Sequence, residues 1–322
     1  MRHFPLKLIA ALACTAFTHA AYAQAYPTKP VRLIIPFAPG GGTDIVGRVV
    51  AQKASDITRQ SVVVDNRGGA GGLIGTELAV RAVPDGYTLG VVTASLPIAA
   101  GFGRLTFDPM KDLTLISMLG ETGYLLTLHP SMPVKTTKEL IAYAKANPGK
   151  VTYGSSGTGG AAHLSGELFD LLAGTKMTHV PYKSSGPALT DLLGGQILMI
   201  YGSGPVTARH AKTGRLRVIA ITSSKRSRAL PDVPTVAESG VPGYEAITWY
   251  GLMGPKGIPR PIVSRWQAIV KEALESREMK ERFDADGLDM PEPGPAYFQQ
   301  VLKRDLDKWS KVIKAANITI GK

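Results

Sequence analysis

Short runs of β-branched and aliphatic residues alternate along the chain with stretches whose apolar positions recur every three to four residues. Residues 31–37 form the first run, and after them Ile45, Val46, Val49, Val50 and Ile57 share one helical face. Residues 61–65 predict a second strand, 73–82 a helix, and 87–93 a third strand behind a Pro84-Asp85-Gly86 turn. Such alternation predicts an α/β fold with mostly parallel sheets flanked by helices. Residues 113–128 break the rhythm, because two extended runs follow each other with no long helix between. The chain is expected to cross into a second lobe there. Thr136 and Glu139 spell a capping box for a helix stopped by Asn147-Pro148-Gly149. Strands are predicted at 151–153, 177–180, 196–201 and 216–222, with helices starting near Ala161, Pro187 and Pro205. Residues 246–253 read as a returning strand. Ile262, Trp266, Ile269, Val270 and Leu274 mark one closing helix, and Phe298, Leu302, Trp309 and Ile313 another. The expected organisation is one lobe of residues 24–124 with 248–322, and a second of 125–247.

The first 23 residues stand apart. Arg2 and Lys7 precede an apolar stretch over 8–17, and Ala21-Tyr22-Ala23 offers a small-x-small cut. This layout predicts a cleaved secretory signal peptide, cut after Ala23 or after Ala25. Removing residues 1–23 takes away Cys14, the single cysteine, so no thiol nucleophile or disulfide remains. It also lowers the formal charge from +12 to +10, since Arg2 and Lys7 leave with it. A basic surplus favours anionic partners. Nucleic acid is not expected among them: the densest basic group is Lys225-Arg226-Ser227-Arg228, with no interleaved aromatic platform. No later segment carries eighteen uninterrupted apolar residues, so membrane insertion is not expected either.

Three glycine-rich loops lie between a predicted strand and a predicted helix. Pro39-Gly40-Gly41-Gly42-Thr43-Asp44 can cradle an anion on the N–H groups of a helix start, or can be a tight turn capped from within. Gly68-Gly69-Ala70-Gly71-Gly72 has the wrong spacing for a dinucleotide fingerprint and reads as a surface turn. Gly157, Gly159 and Ala162 do satisfy G-x-G-x-x-A, but residues 178–182 lack the acidic partner that a ribose needs. An anion remains the better expectation there, and no cofactor is expected. Catalytic groups are sparse: His129, His163, His179 and His210 form no metal-binding spacing, and no G-x-S-x-G elbow occurs. His163 could reach an anion or simply pack; His179 reads as packed.

Several ordered blocks resemble one family. They include Tyr26-Pro27 with Lys29-Pro30-Val31-Arg32, Asp65-Asn66-Arg67, Pro84-Asp85-Gly86-Tyr87, His179-Val180-Pro181-Tyr182-Lys183, Leu230-Pro231-Asp232 and Trp249-Tyr250-Gly251. Together they resemble the tripartite tricarboxylate transporter receptors, also called Bordetella uptake gene (Bug) receptors. The resemblance implies a two-lobed periplasmic-binding-protein-like fold with a ligand cleft between the lobes. It implies a monomeric periplasmic receptor, not an enzyme, that binds a small di- or tricarboxylate, acidic amino acid or aromatic acid. Delivery would be to membrane transporter subunits, or alternatively the loaded form would signal to a sensor histidine kinase. The contacts implied are Phe37, Pro39, Gly40, Gly41, Gly42, Thr43 and Asp44, then Ala94 and Ser95. Ser155, Ser156, Gly157, Thr158, Gly159 and His163 would form a second group, and Tyr201, Gly202 and Ser203 a third. Relatives often carry Asp where Ser203 stands and Gly-Gly in place of Ser184-Ser185. Both departures lie near the expected cleft, and losing an acid there is expected to favour a more anionic or less amine-bearing solute.

Overall fold

The computed structural model describes residues 26–315 and residue 318. The signal peptide expected at 1–23 lies outside them. The first half of the fold runs β1 (Val31–Ile35), α1 (Gly42–Thr58), β2 (Val62–Asn66), α2 (Leu73–Val80), β3 (Thr88–Thr93) and α3 (Ser95–Gly101). Then comes β4 (Leu113–Leu128), a single strand of 16 residues where the sequence suggested two extended runs. The second half runs α4 (Thr137–Ala146), β5 (Thr152–Ser155), α5 (Ala161–Ala173), β6 (Thr178–Pro181), α6 (Ser185–Leu193), β7 (Met199–Ser203), α7 (Gly204–Lys212) and β8 (Arg217–Ile221). β9 (Ile247–Pro255) returns, and α8 (Arg260–Glu275), α9 (Arg277–Asp286) and α10 (Pro295–Ala315) follow.

The strands form one path in the order β2-β1-β3-β9-β4-β7-β5-β6, with β8 also on β4. β1 pairs in parallel with β2 and β3, and β5 in parallel with β6 and β7. The antiparallel pairs are those of β4 and β9, where the chain crosses. β4 changes partners in mid-strand: it pairs with β9 as far as Gly123, opposite Ile247, and from Tyr124 onward with β7 and β8. Two parallel half-sheets are thus joined through one continuous strand. At the changeover Gly123 allows a close approach, since a Cβ there would sit 2.7 Å from the Ser223 nitrogen.

The helices cover these half-sheets with the stripes that the periodicity marked. Val46 and Val50 of α1 pack with Trp266, Ile269 and Val270 of α8. Phe298, Leu302 and Trp309 of α10 pack on the crossing strands around Trp249. Each such side chain contributes about 1.5–3 kcal/mol by leaving water. The capping box forms as predicted, with Thr136 Oγ1 accepting from Glu139 N–H at 3.2 Å. Two helices were not anticipated. α3 carries Pro97, and α9 buries only Met279 and Phe283 over ten residues, too few to mark a stripe.

A buried polar bond ties α10 to β9. Trp249 Nε1 donates to Asp305 Oδ2 at 2.7 Å, and Arg304 Nε donates to the other oxygen at 2.9 Å. Asp305 is 3% exposed and Trp249 fully buried. Truncating the acceptor strands an indole N–H in the core. Asp305→Ala is therefore expected to lower the unfolding free energy by about 1–3 kcal/mol in urea titrations. Adding Trp249→Phe to that variant should then cost less than Trp249→Phe costs in the wild type.

Candidate functional site

Four helices begin where the two half-sheets face each other: α1 with 17 residues, α5 with 13, and α6 and α7 with nine each. The first turn of each presents N–H groups without intrahelical partners and the positive end of the helix dipole. The N-cap residues Gly41, Gly160 and Ser203 make no side-chain capping bond; Ser184 does, accepting from Gly186 N–H at 3.3 Å. Between these turns lies a narrow cavity of about 30 Å³.

Hydroxyl groups line most of it. Ser184, Ser185 and Ser203 come from the starts of α6 and α7, Thr43 from α1, and Thr93 and Ser95 from the end of β3 and the turn after it. Ser156 and Ala162 come from the loop before α5 and its first turn. Tyr124, Tyr201, Thr248 and Tyr250 project from the strands, and Phe37, Gly41 and Gly42 complete the wall. Among these lining residues there is no Lys, Arg, His, Asp or Glu. Burial pushes the Tyr250 phenol up to about 12 and Tyr124 and Tyr201 higher still, so all three stay protonated. Thr248 lies beside the Tyr124 hydroxyl and Ser203 beside that of Tyr250, whereas the buried Tyr201 hydroxyl has no hydrogen-bond partner.

Direct hydrogen bonds bridge the halves around this cavity. Ala38 N–H donates to the Lys183 carbonyl at 3.2 Å and Gly42 N–H to Ser185 Oγ at 3.4 Å. From the other side, Ser95 Oγ accepts from Ala161 N–H at 3.1 Å. Each half therefore lends a serine to a helix start of the other.

Of the residues singled out in the sequence, Phe37, Gly41, Gly42, Thr43, Ser95, Ser156, Tyr201 and Ser203 line the cavity. Pro39 and Gly40 form its rim against Ser184 and Gly186. Asp44 turns away from the cavity: it accepts from Gly40 N–H at 3.0 Å, Arg48 Nε at 3.0 Å and Asn66 Nδ2 at 2.9 Å. Burial works to raise its pKa, but those bonds outweigh it and hold the carboxyl below its usual value. Ala94 and Gly202 are buried behind the lining. Ser155, Gly157, Thr158, Gly159 and His163 shape a loop instead of facing the space. Gly157 N–H donates to Ser155 Oγ at 3.1 Å and Gly159 N–H to His163 Nδ1 at 3.2 Å, so these two amides are already spent.

Sequence reasoning missed Thr93, Tyr124, Ala162, Thr248 and Tyr250 as lining residues, and left Ser184 and Ser185 as departures without a role. Tyr250 had a signal, because it stands in the Trp249-Tyr250-Gly251 block. The others needed the strand crossing. The second glycine loop also differs from expectation. It is no plain surface turn, because a Cβ on Gly71 would sit 2.9 Å from the Thr158 carbonyl oxygen across the interface. Gly72, at φ +100°, lets the tip of the Phe37 ring approach the backbone, where a Cβ would sit 2.9 Å from Cζ.

This is a two-lobed, periplasmic-binding-protein-like α/β fold with its polar cavity at the interlobe cleft. The family described as tripartite tricarboxylate transporter family receptor matches residues 46–318. Among curated relatives, protein BugT of Bordetella pertussis is 38% identical over 295 residues, covering 91% of this chain and 90% of that protein. Among solved structures, the periplasmic binding protein BugD superposes with a TM-score of 0.86 at 32% identity, covering 91% of this chain and 99% of that one. MatC from Rhodopseudomonas palustris, solved with bound malate, gives 0.85 at 30% identity, over 89% of this chain and all of that one. The chain belongs to the tripartite tricarboxylate transporter receptor family, the Bug receptors, a family of solute-binding receptors.

The contact between the second and third glycine loops is testable. Gly71 has φ +69°, where an L side chain costs about 1–2 kcal/mol. Gly71→Ala should lose at least that much stability, measured by chemical denaturation, because its Cβ also meets Thr158.

Proposed function

We propose that this protein captures a small carboxylate in the cleft between its lobes and delivers it to a tripartite-tricarboxylate-type membrane transporter. The observation that carries this reading is the convergence of four helix N-termini on a cavity lined by hydroxyls. Helix starts attract anions, and hydroxyls can donate to carboxylate oxygens. Charge-assisted hydrogen bonds contribute roughly 1.5–3 kcal/mol each. A handful of them supports micromolar affinity, about −8.2 kcal/mol, after the costs of association. The malate in MatC supports a carboxylate of this size class. Residues 24–124 with 248–322 act as one lobe and 125–247 as the other, hinging where β4 and β9 cross. Export by the N-terminal signal places the receptor in the periplasm.

The lining also favours acids without an amine. A ligand ammonium would meet the positive ends of helix dipoles, and no carboxylate lines the cavity to balance it. Asp44 on α1 is committed to Arg48, Asn66 and Gly40. Calorimetric and thermal-shift titrations with malate, succinate, citrate, aspartate, glucose and putrescine test both points. Amine-free acids should raise the melting temperature, the stabilisation reaching roughly 2.7 kcal/mol at 100 times Kd. Malate should bind at least tenfold more tightly than aspartate. Stabilisation by glucose or putrescine alone would refute the carboxylate reading, and aspartate binding as well as malate would refute the exclusion of amines.

A further inference from the structure

Beneath the loop that joins β5 to α5 lie two imidazoles that the binding chemistry above does not use. His163, from the first turn of α5, stacks on His179 of β6 with ring centroids 3.9 Å apart and planes at 27°. His163 is 6% exposed. Its Nδ1 accepts from Gly159 N–H at 3.2 Å, so the ring proton sits on Nε2, which faces Glu167 Oε1 at 3.4 Å. His179 Nε2 lies 2.6 Å from Ser155 Oγ, and that oxygen accepts from Gly157 N–H at 3.1 Å. The same hydroxyl also reaches the Gly157 carbonyl at 3.3 Å, so Ser155 ties His179 to both polar groups of that glycine. His163 thus fixes the Gly159 amide directly, and His179 holds the serine that fixes the Gly157 amide.

We propose that the stacked His163–His179 pair positions the glycine loop at the cleft, and that protonation of the pair releases it. The loop has much to lose. Gly157 and Gly159 hold φ of +127° and +76°, the loop carries Ser156 of the cavity wall, and it leads into the Ala161 amide that Ser95 caps. It also supplies Thr158 and Gly160 to the contact with Gly71. A proton on His163 Nδ1 would turn an acceptor into a donor facing Gly159 N–H. A second charge on the stacked ring would add like-charge repulsion at short range.

The surroundings of the pair come from several elements. Glu167 of α5 accepts from the Tyr153 hydroxyl of β5 at 3.0 Å, and the His163 hydrogen bond holds it below the usual carboxylate range against the effect of burial. Asp170, one turn further on, is raised by burial. The phenols of Tyr153, Tyr201 and Tyr244 are raised by burial and stay protonated. Burial, with His163 as neighbour, pushes His179 down to about 4, so its ring is neutral near pH 7. The loop is therefore held at neutral pH and loosened as the pH falls toward 4.

The test reads the loop and the cleft separately; only its second arm rests on the carboxylate reading. In ¹⁵N NMR spectra of the ligand-free protein, the Gly157 and Gly159 amide resonances should shift between pH 7 and pH 4 together with the imidazole resonance of His179. His163→Asn keeps an acceptor at the Nδ1 position that takes up no proton. It should leave Gly159 near its wild-type position at pH 7 and remove its titration, whereas His163→Phe should displace it at every pH. Malate affinity is then measured from pH 7 to 4.5. The acid's own titration is common to all samples, so the wild type should weaken at least tenfold more than His163→Asn. Glycine resonances that ignore the imidazoles, or equal malate profiles in wild type and His163→Asn, would overturn the proposal. Malate failing to bind wild type at pH 7 would count against the carboxylate reading, and the glycine resonances alone would decide the loop.

Discussion

The first turn of an α-helix leaves N–H groups that nothing within the helix can satisfy. Four such turns meet between the two half-sheets, and the way their amides are spent explains most of the site. Parallel pairing puts α1 after β1 and α5 after β5 at the same end of their sheets, and β4 turns those ends toward each other. Some amides are satisfied within the loops, as at Gly157 and Gly159. Others reach across, Gly42 to Ser185 and Ala161 to Ser95. What remains directed at the cavity is a partial positive potential without a full charge.

That accounts for a contrast between composition and site. The chain carries a surplus of +12, yet no lysine or arginine lines the cavity. An arginine facing a buried carboxylate would have to shed its own hydration, a cost of several kcal/mol that attraction only partly repays. Helix dipoles are already solvated by their own peptide groups, and hydroxyls lose less on burial than ions do. They also accept as readily as they donate, so the lining can satisfy a water cluster or a ligand with the same side chains.

The architecture was legible where a local rule wrote it. The glycine-rich strand-to-helix loops, the Thr136–Glu139 capping box and the stripes of α8 and α10 all appear as the sequence predicts. The site was legible only along the chain. Gly41, Gly42 and Ser203 lie at helix starts and were found; Tyr124 and Thr248 reach the cavity because β4 and β9 cross, a long-range event without a local signature. The glycine pattern was misleading in two ways. Gly157 and Gly159 looked like anion donors but serve their own loop, because neighbouring side chains bid for the same amides. Gly71 looked like a turn residue, and its lack of a Cβ is instead a condition for two loops to touch across the interface.

The cross-cleft bonds also set the scale on which a ligand must act. Around the cavity they run from 3.1 to 3.5 Å and link neutral groups, so each contributes about 0.5–1.5 kcal/mol net. Together they amount to a few kcal/mol, and ordering the loops that make them offsets part of that gain. Charge-assisted bonds to a carboxylate are stronger than these neutral bonds, so a carboxylate held from both sides would weigh on the same balance. Serines suit this arrangement because each occupies a foreign helix start without a charge that a ligand would have to displace. The loop under the His163–His179 pair belongs to the same balance, since it carries both the Ala161 amide that Ser95 meets and the backbone that Gly71 meets. A small change in its shape is therefore felt at the cavity wall and at the lobe contact together, which is how a few buried neutral groups can govern the grip on an anion.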